Sequence, residues 1–532
     1  MKLAAKRALK DFLGQIPLTA ETYWMIRQHG QPVSGFALRQ TAARLPEWAQ
    51  VAQEAAQHAP KGKRVCIFAT LRYWIAHTTA VGLALAGMGH DVSLAYLPYR
   101  EWQQRISRFD LRRSDAYARW VFRRAMPVLR PVSLLRERPA PLPPALAEAI
   151  AQVAAYDVQY TLQVEDVDTQ SPLYRLRLER NTAAAGALLA LWRRRRPDVV
   201  IVPNGMILEF GAAFQTARFL GIPVATYEFG EQRERTWLDW NRPVMLQDTT
   251  ALWQAMRDKP LTEAQWQRVQ ELFAARRGGR LWANFARQWQ QTASEGGEKV
   301  RAALGLDDRP IFLLATNVLG DSLVLGREVF SRSLAEWVRE TVRYFARHPE
   351  AQLVVRIHPG ERLAKGPSLA EAVHQALPTL PEHIHLIPAD ATINTYDLMD
   401  IASAGLVFTT TVGLEMAMSG LPVVVAGKTH YRDRGFTLDP TSWDAYYQFL
   451  DALIANPQRF RLSEDQVRMA WKYAYHFFFD YPRPFPWHVV YQSEDMTRWP
   501  LKRVLAEPEF RETFTALTTG QLPWTKADGE VA

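Results

Sequence analysis

One cysteine, Cys66, stands in 532 residues. That excludes a disulfide framework and any cysteine-based zinc site, and it fits a reducing compartment. Long hydrophobic runs are missing too. A bilayer span needs about eighteen to twenty apolar residues in a row. The longest candidate, Ala183 to Trp192, is too short and runs into Arg193-Arg194-Arg195-Arg196. The N-terminus lacks the apolar core and small-residue cleavage site of a secretory signal, so a cytoplasmic location is expected. Neither G-x-G-x-x-G nor Asp-x-x-His occurs. The first absence weakens a dehydrogenase reading. The second removes the histidine that Gly320-Asp321-Ser322-Leu323 would need to act as a serine hydrolase. Gly427-Lys428-Thr429 fails as a P-loop, because Pro422 stands where that motif opens on glycine. Asp166-Val167-Asp168 is a lone carboxylate pair, and no metal site is expected there.

What is present describes a folded globular chain of two to four domains: 48% hydrophobic and 22% charged residues. The 64 basic residues against 55 acids leave a net charge of +9, too thin over this length to imply nucleic acid. The four arginines 193–196 read as the polar end of a helix before a strand, and no nucleic-acid partner is expected. With 18 tryptophans, some aromatic surface is available to a ligand. At the N-terminus Lys2, Lys6, Arg7 and Lys10 alternate with Leu3, Leu9, Phe12 and Leu13. This pattern is a short basic amphipathic helix, either packed on its own domain or resting on the inner face of a membrane.

Strand and helix patterns alternate twice. Arg64 to Ala69, Asp91 to Leu97, Pro197 to Val202 and Ile222 to Tyr227 read as buried strands with helices between. A mostly polar helical bridge covers 248–305. Ile311 to Ala315, Gln352 to Ile357, His385 to Ile387, Leu406 to Thr409 and Pro422 to Ala426 form a second series. Met126 to Pro144 reads as a Pro-rich traverse. The expectation is α/β with two facing Rossmann-like domains. Residues 1–60 form a helical extension, 61–305 one domain, 306–460 the other, and 461–532 C-terminal helices and a tail. Ligands of such sheets bind at the carboxyl ends of the strands, which puts the site in the cleft between the domains.

Two places there carry chemistry. Alternation along Val354 to Pro359 turns Arg356 and His358 to one face at a strand's carboxyl end, where they suit a phosphate. At the end of the strand Leu406 to Thr409, Thr409-Thr410-Thr411 and Val412-Gly413-Leu414-Glu415 open a helix. Its N–H groups and hydroxyls can take an anion, and Gly413 allows close approach to the backbone. Glu415, one turn beyond Thr411, can accept the hydroxyls of a ribose or act as an ordinary cap. Asn394-Thr395 caps the helix that begins at Tyr396. In the first half, Glu228 and Glu231 follow a strand, where an acid or base acting on an acceptor hydroxyl belongs.

These motifs together resemble a family. His358-Pro359, Asn394-Thr395-Tyr396, Thr410 to Glu415, Gly420 to Val423, and Gly427, Tyr431, Gly435 and Thr437 stand where the capsule polysaccharide biosynthesis family has its pattern. That family includes Kdo transferases and related GT-B glycosyltransferases. Gly320-Asp321-Ser322 is similar to the family's loop after the first strand of this half. The resemblance is close over roughly residues 310–450. In the N-terminal half only Pro203-Asn204-Gly205 and Tyr227 to Glu231 echo it. It implies a metal-independent GT-B transferase with a nucleotide-sugar co-substrate, no other cofactor, and a glycan or lipid-linked acceptor. Asp321, Ser322, Arg356, His358, Asn394, Thr395, Tyr396, Thr410, Thr411, Gly413, Glu415 and Tyr431 would then face the donor, and Glu228 or Glu231 would serve the acceptor. A sugar-nucleotide 2-epimerase of similar build and a non-catalytic nucleotide-binding protein are the alternatives.

Overall fold

The computed structural model describes residues 2–285 and 292–525, with side chains from residue 8 onward. Twelve strands make two sheets. The first uses β1 (Arg64–Thr70), β2 (Asp91–Leu97), β3 (Leu129–Ser133), β4 (Val199–Pro203), β5 (Val224–Glu228) and β6 (Arg235–Trp240). The second uses β7 (Ile311–Ala315), β8 (Gln352–Arg356), β9 (Ile384–Ile387), β10 (Ala404–Val407) and β11 (Val423–Val425). A last short strand, β12 (Arg483–Pro484), returns to the first sheet.

The strand orders are β12-β6-β5-β4-β1-β2-β3 and β11-β10-β7-β8-β9. From β3 to β5 and from β9 to β11 every pairing is parallel. Each set therefore has the same order, with its first strand beside its fourth. That is a Rossmann-like sheet, twice, and the order reverses between β1 and β4 and between β7 and β10. Both faces are helix-covered, so the strands are nearly all buried; β4, β7, β8, β10 and β11 have no exposed residue. The expected α/β, GT-B-like architecture with a helical extension is what the chain adopts.

Three differences have physical reasons. Part of the supposed traverse is β3, an edge strand, and an edge tolerates Pro131 because that position needs no second ladder bond. The bridge does not belong to the first domain. Leu252, Val269, Phe273 and Val300 share one apolar core with Ile311 and Leu313 of the second sheet, so the bridge packs with that sheet. The C-terminal segment serves both halves. Helix Glu464–Tyr475 packs on Val412–Met418, whereas β12 joins β6 and helix Leu501–Ala506 packs on Arg39–Gln57 and Arg72–Gly87.

The halves meet at the carboxyl end of β7. Glu165, just past the helix Pro144–Leu162, accepts from the N–H groups of Leu334 (2.6 Å) and Ala335 (2.9 Å) and so caps a helix of the opposite domain. Gly320 has φ +66°, and a Cβ there would stand 2.2 Å from the Gln159 carbonyl. Only glycine allows that approach.

Candidate functional site

The reversal points select the site. At β4 the chain leaves through Asn204 (φ +59°) and Leu208 (φ +57°), two non-glycine residues in the left-handed region, and at β1 through Leu71 (φ +62°). Strain of this kind costs about 1–3 kcal/mol per residue and gathers where function needs it. Asn204 supports the turn. Its Oδ1 accepts from Met206 N (3.0 Å) and Ile207 N (3.2 Å), and its Nδ2 donates to Glu228 (3.2 Å). Glu228 also accepts from Phe229 N at 3.0 Å, so its carboxylate is oriented at the carboxyl end of β5. Glu231 is placed differently. It pairs with Arg276 at 3.3 Å, and Arg276 pairs with Glu415 at 3.0 Å.

Arg276 thus joins both halves. Burial lowers its pKa, but Glu415 and Glu231 more than offset that and hold the guanidinium charged. Glu415 is 3% exposed, and its Oε2 is buried with no hydrogen-bond partner. Tyr396 lies beside it; burial, then Glu415, keeps that phenol well above its ordinary range. The capping alternative for Glu415 fails, because the carboxylate goes to Arg276. The seven-residue helix Val412–Met418 starts at Thr411 with no side-chain cap bond, and its Gly413 and Leu414 N–H groups go to the carbonyls of Thr410 and Thr411.

Several residues expected at the donor are engaged within the protein. Arg356 does not leave the strand at an open end. It is 3% exposed, and its guanidinium donates to the carbonyls of Pro388 (2.5 Å), Ala391 (3.4 Å) and Ile393 (3.4 Å). Tyr431 is wholly buried and donates to the Thr410 carbonyl at 2.6 Å. Gly413 makes room for that ring, since a Cβ would stand 2.3 Å from the Tyr431 hydroxyl. Asn394 caps Tyr396 N (2.8 Å) and donates to the Thr292 carbonyl (2.9 Å). Thr395 is buried as the first residue of the helix it opens.

Nearer the cleft, Asp321 is exposed on the loop after β7 and Ser322 is half-buried beside it. Nδ1 of His358 accepts from Gly360 N at 2.9 Å, which puts the proton of the neutral ring on Nε2. Burial lowers the pKa of His358, Asp321 opposes this, and Arg356 reinforces it. Arg356→Ala is therefore expected to cost about 2–3 kcal/mol of folding stability by chemical denaturation, because it strands three carbonyls. An unchanged unfolding midpoint would return Arg356 to the ligand.

The sequence reading missed the strongest feature. Arg327 is 1% exposed, yet among the described residues it has no carboxylate partner. Its Nη2 donates to the Met245 carbonyl and to Gln247 (3.2 Å), and its Nε is buried without a partner. Burial brings its pKa down to about 10. His430, stacked on Phe477 with centroids 3.6 Å apart, has Nδ1 on Tyr473 and a buried, unpartnered Nε2. Burial and then Arg327 hold it neutral. The hydroxyls of Thr409 and Tyr481 are likewise buried and unpartnered. Thr409 N bonds Asn317 Oδ1 at 3.2 Å, which ties the ends of β10 and β7 at the reversal point. Gly427 to Tyr431 was noticed as a motif, but the burial of Arg327 leaves no local pattern to find.

Asp239 on β6 borders this group. Oδ1 accepts from Trp240 N (2.7 Å), Oδ2 is buried and unpartnered, and burial pushes the pKa to about 7, opposed by Arg242. The folded chain thus keeps a proton that the unfolded chain gives up near the ordinary 3.8. Stability from this group is complete below about pH 4 and is lost as pH rises to about 7. Asp239→Asn should therefore raise the melting temperature at pH 8 and leave it nearly unchanged at pH 4. An equal rise at both would refute the buried proton.

Asp166 and Asp168 are exposed, and among the described residues no group of three His, Cys, Asp or Glu could hold a metal ion. No described helix is long and apolar enough to cross a membrane.

No curated protein matches the chain. Among solved structures it is similar to the KpsC beta Kdo 2,4 transferase of Thermosulfurimonas dismutans, at 16% identity over 54% of this chain and 82% of that one, TM-score 0.35. It is also similar to the S. aureus MnaA–UDP co-structure (12% identity, 77% and 91% covered, TM-score 0.25). A UDP-GlcNAc 2-epimerase from Neisseria meningitidis bound to UDP-GlcNAc is alike at 14% identity, 79% and 99% covered, TM-score 0.25. Residues 274–449 match the capsule polysaccharide biosynthesis protein family, and over that segment the resemblance carried by the motifs from Arg356 to Thr437 holds.

Proposed function

We propose that the protein is a glycosyltransferase of surface or capsular polysaccharide assembly, moving a sugar from a nucleotide-sugar donor to a glycan or lipid-linked acceptor. The observation that supports this reading best is the buried cation Arg327, which among the described residues forms no ion pair, with only Asp321 acting on it through space, and stands among unpartnered polar groups at the carboxyl ends of the second sheet. A buried charge without an ion pair costs several kcal/mol, and a bound anion would offset that cost. A nucleotide phosphate supplies it. The negative charge that grows on the departing nucleotide would be met by Arg327, with Thr409 and His430 as neighbours. Glu415, with one oxygen unpartnered, faces the ribose, and Arg276 orients it.

Across the cleft, Glu228 takes the proton of the acceptor hydroxyl, held for that role by Asn204 and Phe229 N. Glu231, engaged by Arg276, positions rather than reacts. The reading needs no metal and no cofactor beyond the nucleotide sugar. It locates the enzyme in the cytoplasm, peripheral to the inner face of the membrane where the acceptor carries a lipid.

A thermal-shift panel of CMP, UDP, GDP and CDP tests it. A nucleotide at about a hundred times its dissociation constant stabilises by about 2.7 kcal/mol. One nucleotide should stand out; none doing so would defeat the reading. Donor alone should remain intact, whereas turnover without acceptor would identify an epimerase. Transfer should survive EDTA; loss restored by Mg²⁺ or Mn²⁺ would overturn metal independence.

A further inference from the structure

The first two helices present an apolar stripe outward, although Ala20 and Trp24 of the second also face the core. In helix Lys2–Gln15 and the turn after it, Leu9, Phe12 and Ile16 form an exposed stripe at helical spacing (57%, 61% and 37% exposed). Leu18, Met25 and Ile26 continue it at the start and along the outer side of helix Thr19–Arg27 (68%, 65% and 62%). The side against the domain is anchored by polar groups. Lys10 bonds Asp110 at 2.8 Å, Arg112 bonds Glu21, and Gly14 lies so close to Phe109 that a Cβ would stand 2.6 Å from its backbone nitrogen. A helix that serves only its own core does not carry such an outward stripe as well. The packing also corrects the reading of a basic solvent face, since Lys10 points inward; the side chains of Lys2, Lys6 and Arg7 lie outside the described residues.

We propose that this helical hairpin docks the protein on an anionic lipid surface, with the six apolar side chains entering the boundary between headgroups and acyl chains. Charge selects lipid over a protein partner. Residues 1–30 hold five Lys and Arg against two acids; with Lys10 paired to Asp110 and Glu21 to Arg112, four cations stand against Asp11. Arg27 is exposed at the end of the second helix, and Arg123 is exposed next to Arg124, which stands over Trp120. The rim is aromatic as well. Tyr23 (45% exposed) packs edge-on against Phe109, and Trp120 (40% exposed) stands 6.5 Å from Trp24 with Arg124 4.4 Å from its ring. Rings with one apolar and one polar side, next to cations, suit the headgroup layer. Neither helix is long enough to span, so the hairpin lies in the plane of the interface. This inference does not depend on glycosyl transfer.

Flotation of the full chain with vesicles tests it. The protein should float with phosphatidylglycerol and phosphatidylcholine mixed roughly one to two, stay behind with phosphatidylcholine alone, and be partly released by high salt. Phe12→Glu with Ile26→Glu should reduce floated protein about tenfold or more, with melting temperature and nucleotide-induced shift unchanged, because both side chains are exposed. Arg27→Glu with Arg123→Glu should remove the preference for the anionic lipid. Failure of the wild-type chain to float, or flotation undiminished in the apolar double variant, overturns the proposal. So does a dimer, seen by light scattering, that the same variant dissolves while vesicles bind neither form. A missing nucleotide shift with intact flotation would count against the transferase reading alone.

Discussion

Arg327→Met is expected to weaken nucleotide binding by about 1.5–3 kcal/mol, roughly ten- to hundredfold in dissociation constant, while the ligand-free protein melts within a few degrees of wild type. The two effects separate for a reason. Without ligand, Arg327 is a desolvated charge held by a carbonyl and an amide oxygen, and replacing such a charge with an apolar chain of similar length is often neutral. The lost bonds to Met245 and Gln247 offset the relief of desolvation. With ligand bound, the same guanidinium makes a charge-assisted bond in a site of low dielectric, and methionine cannot replace it. Isothermal titration with the nucleotide chosen by the thermal panel measures the first effect, and denaturation without ligand the second. If Arg327→Met unfolds early yet binds normally, the arginine is a strut between the halves and the phosphate must be sought elsewhere.

The difference between Arg327 and Arg356 shows what local pattern can carry. Both sheets were legible because parallel strands under helices on both faces must be continuously apolar, as in Val199–Pro203 and Ile311–Ala315. Strand β3 was hidden because Arg130 and Pro131 break that rule, which an edge position permits. Alternation placed Arg356 at a carboxyl end correctly. It could not show that residues 388–393 fold back over that end and take the guanidinium for themselves, because that contact spans more than thirty residues of chain. Arg327 had the opposite fate. It lies in a turn between Gly326 and Glu328, where an arginine reads as solvated, and only the packing of residues 245–247 against it reveals the burial. Glu415 was legible as an acid at a helix start, but its choice between cap and ligand was decided by Arg276, 139 residues away.

Loss of the arginine at the centre of the first domain should be the most damaging single change. Arg177 is fully buried and pairs with Asp157 and Glu209, both at 2.9 Å, while Asn181 donates to Asp157 at 2.8 Å. Asp157 in turn accepts from Leu208 N, which fixes one of the two left-handed residues in the turn beside Glu228. Burial already raises the pKa of Asp157, and Arg177 is the strongest influence holding it down. Arg177→Met removes that restraint and leaves two buried carboxylates without a cation, Asp157 keeping only Asn181 and Leu208 N as donors. The expected cost is about 3–5 kcal/mol at neutral pH, the usual result of breaking a buried pair from one side. Asp157 of the variant will then hold a proton in the folded state that the unfolded chain releases near pH 4. The variant's deficit should therefore grow from pH 5 to pH 8. Adding Asp157→Asn and Glu209→Gln to Arg177→Met removes the stranded charges and should recover most of the stability. It should not restore turnover, because the turn that aims Asn204 at Glu228 has lost the carboxylate that held Leu208. A triple variant as active as wild type would mean that this network supports the core alone and that the strained turn forms without it.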